Sequence, residues 1–177
     1  MKSNYDDSFE LLIKSEGKYS NNPHDPGGET NLGVTKKAWS TYLGRPIANG
    51  EMARLTKADV KPFYKTEYWD KVQGDLMPKG LDYLAFDFAV NAGVIQCSKF
   101  IQRACGAEDD GHIGPGTMGK LAPLRPWDIM DSFSAQKRRF YKEIVLHNPM
   151  EEEFLIGWLR RVDTVLANAR AMLPTGA

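Results

Sequence analysis

The sequence predicts a mainly α-helical protein, on three observations. Apolar residues recur at helical spacing in segment after segment. Recognisable capping and stop residues bracket most of those segments. No stretch long enough to form a sheet shows the alternating pattern of strands.

Phe9, Leu12 and Ile13 mark the first helix, with Asp6, Asp7 and Ser8 supplying N-terminal acids and a cap. Between Tyr19 and Thr35, glycines and asparagines leave room for one short β-hairpin. Thr35 caps a short helix that ends at Leu43, where Gly44 stops it. Leu55-Thr56-Lys-Ala-Asp59-Val60 is a full start signal: Thr56 as cap, Asp59 reaching back, Leu55 and Val60 as staple. That helix is expected to run to about Val72, bent at Pro62. Leu81, Leu84, Ala85 and Phe88 mark the next, and Ile95 to Cys105 another, stopped by Gly106. Ile129, Phe133, Phe140 and Ile144 follow. Asn148-Pro149 then reads as a cap and first position for a long helix carrying Phe154, Trp158, Val162, Val165 and Ala169. Glycine-bounded breaks at 74–80 and 106–119 suggest an N-terminal lobe over 1–80 and a helical region over 81–177, packed as one compact unit.

The bulk numbers exclude more than they assign. Lys+Arg and Asp+Glu are both 23, so no net charge draws the chain to nucleic acid, and an anionic polymer would have to be held by local contacts. No apolar run is long enough to span a bilayer. The first residues do not read as a signal peptide, so synthesis in the cytoplasm is expected. Cys97 and Cys105 fall eight apart on one helix, placing their Cα atoms about 12 Å apart, beyond the ~7 Å reach of a disulfide. They are expected as reduced thiols. His24, His112 and His147 are scattered, and no spacing suggests a metal site or a cofactor.

The residue that does not fit its pattern is Glu16. It continues the Phe9 stripe seven residues on, where a core residue is expected, and Gly17 follows. Burial disfavours a charged carboxylate, and so does the negative end of a helix. A neutral acid held in a cleft is what glycoside hydrolysis requires. Asp25 lies in an Asp-Pro-Gly-Gly turn, suited to a type II turn and to solvent, and should stay ionised. Two carboxyl groups whose surroundings push them apart make an acid–base pair. Thr30 and Asn31 add a hydroxyl and an amide that could position a water or a sugar. A glutamate at a helix end and a polar turn also have ordinary structural explanations, and the residues alone leave both open.

The segment from Glu16 to Thr35 resembles the signature of the glycoside hydrolase 108 family of phage-type lysozymes: Glu16-Gly-Lys-Tyr19, Asp25-Pro-Gly-Gly28, Thr30-Asn31 and Gly33-Val-Thr35. Lys18 and Val34 depart from the family's glycine and isoleucine without touching a carboxylate. Downstream, Asp87-Phe-Ala-Val-Asn91-Ala-Gly93, Phe100-Ile-Gln102 and Asp110-Gly-His-Ile-Gly114-Pro-Gly-Thr117 resemble the predicted peptidoglycan-binding region that follows in this family. The resemblance implies a lysozyme-like helical fold and an N-acetylmuramidase cleaving the β-1,4 bond between N-acetylmuramic acid and N-acetylglucosamine. It implies Glu16 as catalytic acid, with Asp25 and Thr30 placing the attacking water. Tyr19, Asn31, Trp69 and Asn91 are the candidate substrate contacts. Trp69 is the aromatic most suited to a cleft, whereas Tyr64 and Tyr68 share a helix face and fit a core equally well. Asp87 and Asn91, polar on an apolar helix, are expected to bond to the Asp25 turn or to an acetamido group. The basic run Gln136-Lys-Arg-Arg139 reads as a solvated face.

The expected partner is therefore bacterial peptidoglycan, met as a monomer without stable membrane insertion. An endolysin made in the host cytoplasm and acting in the cell wall would need a separate holin-type pore. Two other readings stay open. One is a peptidoglycan-binding or assembly module that does not cleave. The other is a lytic transglycosylase, which uses one glutamate and the substrate's own hydroxyl. Retaining and inverting outcomes are not distinguished by sequence.

Overall fold

The computed structural model describes residues 4–17, 19–21 and 28–173. Among these residues the chain forms eight α-helices and one two-stranded antiparallel sheet, the mainly α, lysozyme-like fold expected. It divides into two compact units, residues 5–67 and residue 4 with residues from 68 onward.

In the first unit, α1 (Tyr5–Ser15) buries Phe9, Leu12 and Ile13. It begins earlier than expected. Ser8 is not its cap but lies fully buried inside it, because Tyr5 is itself a core residue whose hydroxyl donates to the Lys61 carbonyl. β1 (Thr30–Asn31) and β2 (Val34–Thr35) form the hairpin, with Asn31 opposite Val34. Its two turn residues, Leu32 and Gly33, have φ of 49° and 76°. Two consecutive positive values are what a type I′ hairpin turn demands. α2 (Lys36–Leu43) is capped by the Thr35 hydroxyl, which accepts from the Ala38 amide at 3.2 Å, and ends at Gly44 with φ 65°. α3 (Lys57–Tyr64) carries the complete Thr56–Asp59 capping box.

Past Pro62 the helix does not simply bend. It changes at Lys65 into a π-helical turn, Lys65–Trp69. Pro62 has no N–H for the carbonyl four residues back, and the wider turn that follows holds one more residue than an α-turn. The core of this unit is aromatic: Tyr64 packs on Phe9 and Phe63 at ring separations of 5.9 and 5.5 Å, and Phe63 on Trp39 at 5.9 Å.

The second unit is built around α4 (Leu81–Ala92), buried continuously from Leu81 to Ala89. Packed with it are α5 (Val94–Cys105), α6 (Pro115–Leu121), α7 (Pro126–His147) and α8 (Glu152–Ala171). Phe88 is surrounded by Phe100, Phe133 and Phe140 at 5.1 to 5.8 Å. Cys97 and Cys105 are both buried and free. The expected cap at Asn148 is not made. Its amide instead reaches the Glu151 carboxylate at 3.3 Å, Pro149–Glu151 form a 3₁₀ turn, and α8 starts after it. No described helix is long and apolar enough to cross a membrane.

Candidate active site

Glu16 is the first residue past the end of α1, half-buried, where the apolar stripe of that helix runs out. What faces it comes from two other elements of the same unit. Gly33 sits at the tip of the hairpin with its Cα bare. A Cβ added there would fall 2.6 Å from Glu16 Oε2 and 2.5 Å from the Tyr64 hydroxyl. The carboxyl of Glu16 and the phenol of Tyr64 thus converge on one point that only glycine leaves vacant. Tyr64 is fully buried and its hydroxyl donates to the Leu32 carbonyl at 2.8 Å, so the last turn of α3 fixes the hairpin tip. Three elements meet there: a helix end, a hairpin turn and a buried tyrosine.

Beside this point lies a polar row. Tyr19 is 43% exposed and its hydroxyl donates to Glu29 Oε1 at 3.0 Å. That bond to a carboxylate holds its pKa above the usual phenol value. Glu29 also takes Lys36 Nζ at 3.0 Å, and this bond holds its pKa below the usual carboxylate value. It is an ionised residue bound into an ion pair, a poor source of protons. Thr30 exchanges backbone hydrogen bonds with Ser20 at 2.8 and 2.9 Å, and its hydroxyl donates to the Gly28 carbonyl at 3.3 Å. Asp25, the partner carboxylate expected from the sequence, lies outside the described residues, as do Lys18 and His24.

The expected substrate contacts fare unequally. Tyr19 is at the surface of this row. Asn31 is buried, and its amide donates to the carbonyls of Met52 and Leu55 at 2.7 and 3.4 Å, tying the hairpin to the next turn. Trp69 is corrected outright as a cleft residue. It is completely buried in the second unit, packed edge-on against Phe86 at 5.6 Å, with its indole N–H donating to Asp75 at 2.8 Å. The π-turn shifts every later residue around the helix, so a position read as outward turns in. Asn91 is exposed at the end of α4, and its amide donates back to the Asp87 carbonyl at 2.6 Å.

The expected bond from Asp87 to the Asp25 turn falls on residues outside those described, and Asp87 itself lies in the core of the second unit. It is buried between Lys137 Nζ at 3.0 Å and Arg161 Nη2 at 2.7 Å. Lys137, expected on a solvated face, is 1% exposed and lies 4.9 Å from the Phe88 ring. The signal was present in the sequence. Phe133, Lys137 and Tyr141 are each four apart, so the lysine stands on the apolar stripe of α7 as Asp87 stands on that of α4.

Two family models cover this chain in succession. Residues 9–93 match Glycosyl hydrolase 108, and residues 96–163 match the Predicted Peptidoglycan domain. Among solved structures it is similar to that of Brucella abortus SagA, at 30% identity and a TM-score of 0.83, covering 96% of this chain and 95% of that one. The chain belongs to the glycosyl hydrolase 108 family. It is a glycoside hydrolase of the muramidase type, active on peptidoglycan. A search of the curated proteins gives no match. In this family member, Glu16, Gly33 and Tyr64 all fall within the matched hydrolase segment. Tyr64 and Gly33 were not singled out from sequence as site residues. A tyrosine on an apolar helix face looks like core, and here it is core whose hydroxyl also reaches the site.

Proposed function

We propose that the chain is an endolysin-type N-acetylmuramidase with Glu16 as its general acid. The observation that carries this is the convergence of the Glu16 carboxyl and the Tyr64 hydroxyl on the bare Cα of Gly33. An acid catalyst must be held within about 0.5 Å of its productive position. A helix end, a glycine-dependent hairpin tip and a buried phenol together supply such a hold. Glu16 protonates the glycosidic oxygen after the muramic acid residue as the bond breaks. Asp25 and Thr30 place the water that completes hydrolysis. Tyr19, exposed at the surface, meets the sugar chain. As an endolysin the chain would be made in the host cytoplasm and reach the wall through a pore built by another protein.

Product chemistry tests this reading. Purified sacculi are digested, and the soluble fragments are reduced with borohydride and weighed by mass spectrometry. Reduced muramic acid ends, each carrying one added water, are the expected products. Anhydro-muramic acid would make the chain a transglycosylase, and reduced glucosamine ends would place the cut at the other bond. Binding without any soluble product would leave only a binding module.

A further inference from the structure

The far end of the α7–α8 pair has no core of its own. No residue from Lys142 to Arg161 is buried, although the stretch takes in the last turns of α7, the 3₁₀ turn and the first half of α8. It is nonetheless apolar: Leu146 is 77% exposed, Met150 84% and Ile156 64%. Single apolar residues are ordinary on a surface, but several on one coreless stretch mark a docking face. The two helices hold to each other here through Tyr141, Trp158 and Phe154, whose rings stack in turn at 5.2 and 6.0 Å. The outer side of α8 is left unused.

We infer that this outer side docks a second copy of the chain, helix against helix and antiparallel about a two-fold axis. Helical spacing gathers Glu153, Ile156, Gly157 and Arg160, all exposed, on the side opposite the buried Val162, Val165, Leu166 and Ala169. Three charged residues of α8 are paired within the chain: Arg161 with Asp87, Asp163 with Arg138 and Arg170 with Asp131. Glu153 and Arg160 have no ion-pair partner among the described residues. Seven apart, they stand about 10.5 Å from each other along the helix, too far to pair within it. When a second copy is turned end for end about a point between Ile156 and Gly157, each Glu153 comes to stand opposite an Arg160 of the other copy. The match is made twice, as a two-fold interface requires.

The centre of the pairing fits as well. Ile156 meets its own copy across the axis and is covered there. Gly157 sits beside it in the interior of α8, where glycine weakens a helix. A Cβ added at Gly157 meets nothing within 4 Å, so its own fold does not call for a glycine. A bare Cα at that point lets a second backbone come close. Charge argues against the other occupants. From Lys142 to Arg160 the stretch carries four acids against two bases, which repels an anionic lipid surface or an anionic wall polymer. A pair of chains thus replaces the monomer expected from sequence, and nothing in the pairing depends on the active site.

Sedimentation velocity of the full chain tests this from about 1 to about 200 μM, the range in which modest interfaces assemble. The parent should pass from monomer to dimer. Glu153→Arg and Arg160→Glu each set like charges face to face twice, and each should weaken the dimer about tenfold or more. The double variant restores opposite charges in reversed order and should dimerise as the parent does. All the replaced side chains are exposed, so melts at the dilute end should match the parent's. A parent that stays monomeric throughout overturns the pairing. If that monomer floats with vesicles of phosphatidylglycerol and phosphatidylethanolamine, the face belongs to lipid instead. A dimer that neither single variant weakens, or that the double variant fails to restore, overturns the proposed geometry.

Discussion

Gly33→Ala separates two costs that are usually confounded. The backbone at Gly33 has φ 76°, and an alanine there costs about 1–2 kcal/mol in the left-handed region. The added Cβ would also stand 2.5 Å from the Tyr64 hydroxyl and 2.6 Å from Glu16 Oε2, against 3.4 Å or more for ordinary contact. The tyrosine is buried and bonded to the hairpin, so the half-buried Glu16 side chain gives way, by about 1 Å. A displacement of that size costs about 100-fold in rate. Gly44→Ala supplies the control, because its φ is 65° and nothing lies within 4 Å of its added Cβ. In a thermal melt Gly44→Ala should show the backbone cost alone, and Gly33→Ala that cost plus the crowding at Tyr64. Only Gly33→Ala should lose about 100-fold in turbidity clearance of sacculi. Clearance by Gly33→Ala within a few-fold of Gly44→Ala would refute the claim that the hairpin tip positions Glu16.

Two further outcomes follow from the second unit. Lys137→Met leaves buried Asp87 with Arg161 alone, so the loss, read as a lower urea midpoint, should fall below the ~3–5 kcal/mol of a buried charge left with no partner. Replacing Lys137 with no loss would mean the pair adds nothing to the fold. Burial pushes the Asp82 pKa up to about 6, against hydrogen bonds from Asn4, Tyr83 and Gly80 that pull it down. The native state therefore holds a proton that the unfolded chain releases at lower pH, and stability falls as pH rises from about 4 to about 6. Asp82→Asn keeps the acceptor oxygen and removes the ionisation, so that slope should flatten in melts across the window. An unchanged slope would assign it to another group.

What could be read from sequence was what is written locally. Thr35 with Gly44, Thr56 with Asp59, and Gly106 each fix a helix end through bonds to residues three or four away, and all stand where expected. The hairpin was legible from its glycines. Glu16 was legible because it breaks a stripe. Trp69 was not, because a π-turn changes the angular register after Lys65, and helical spacing carries no mark of that extra residue. The start of α1 was misplaced because the Tyr5 hydroxyl bonds to Lys61, far along the chain. Asp87 and Lys137 are fifty residues apart, and each was legible only as a charge on an apolar face. Pairing them needed the fold. The place of Tyr64 beside Glu16 needed it too, since nothing local separates a phenol that only packs from one whose hydroxyl also borders the Glu16 carboxyl.

Glu16 is the proposed source of the proton. The most direct measurement is turbidity clearance of purified sacculi by the parent chain and by Glu16→Gln, with circular dichroism to confirm that both are folded. Gln fills the same space and keeps an acceptor oxygen but has no acidic proton. A fall of several orders of magnitude in a folded variant is the predicted result. Equal clearance by the two would contradict the account and place the acid elsewhere in the hydrolase segment.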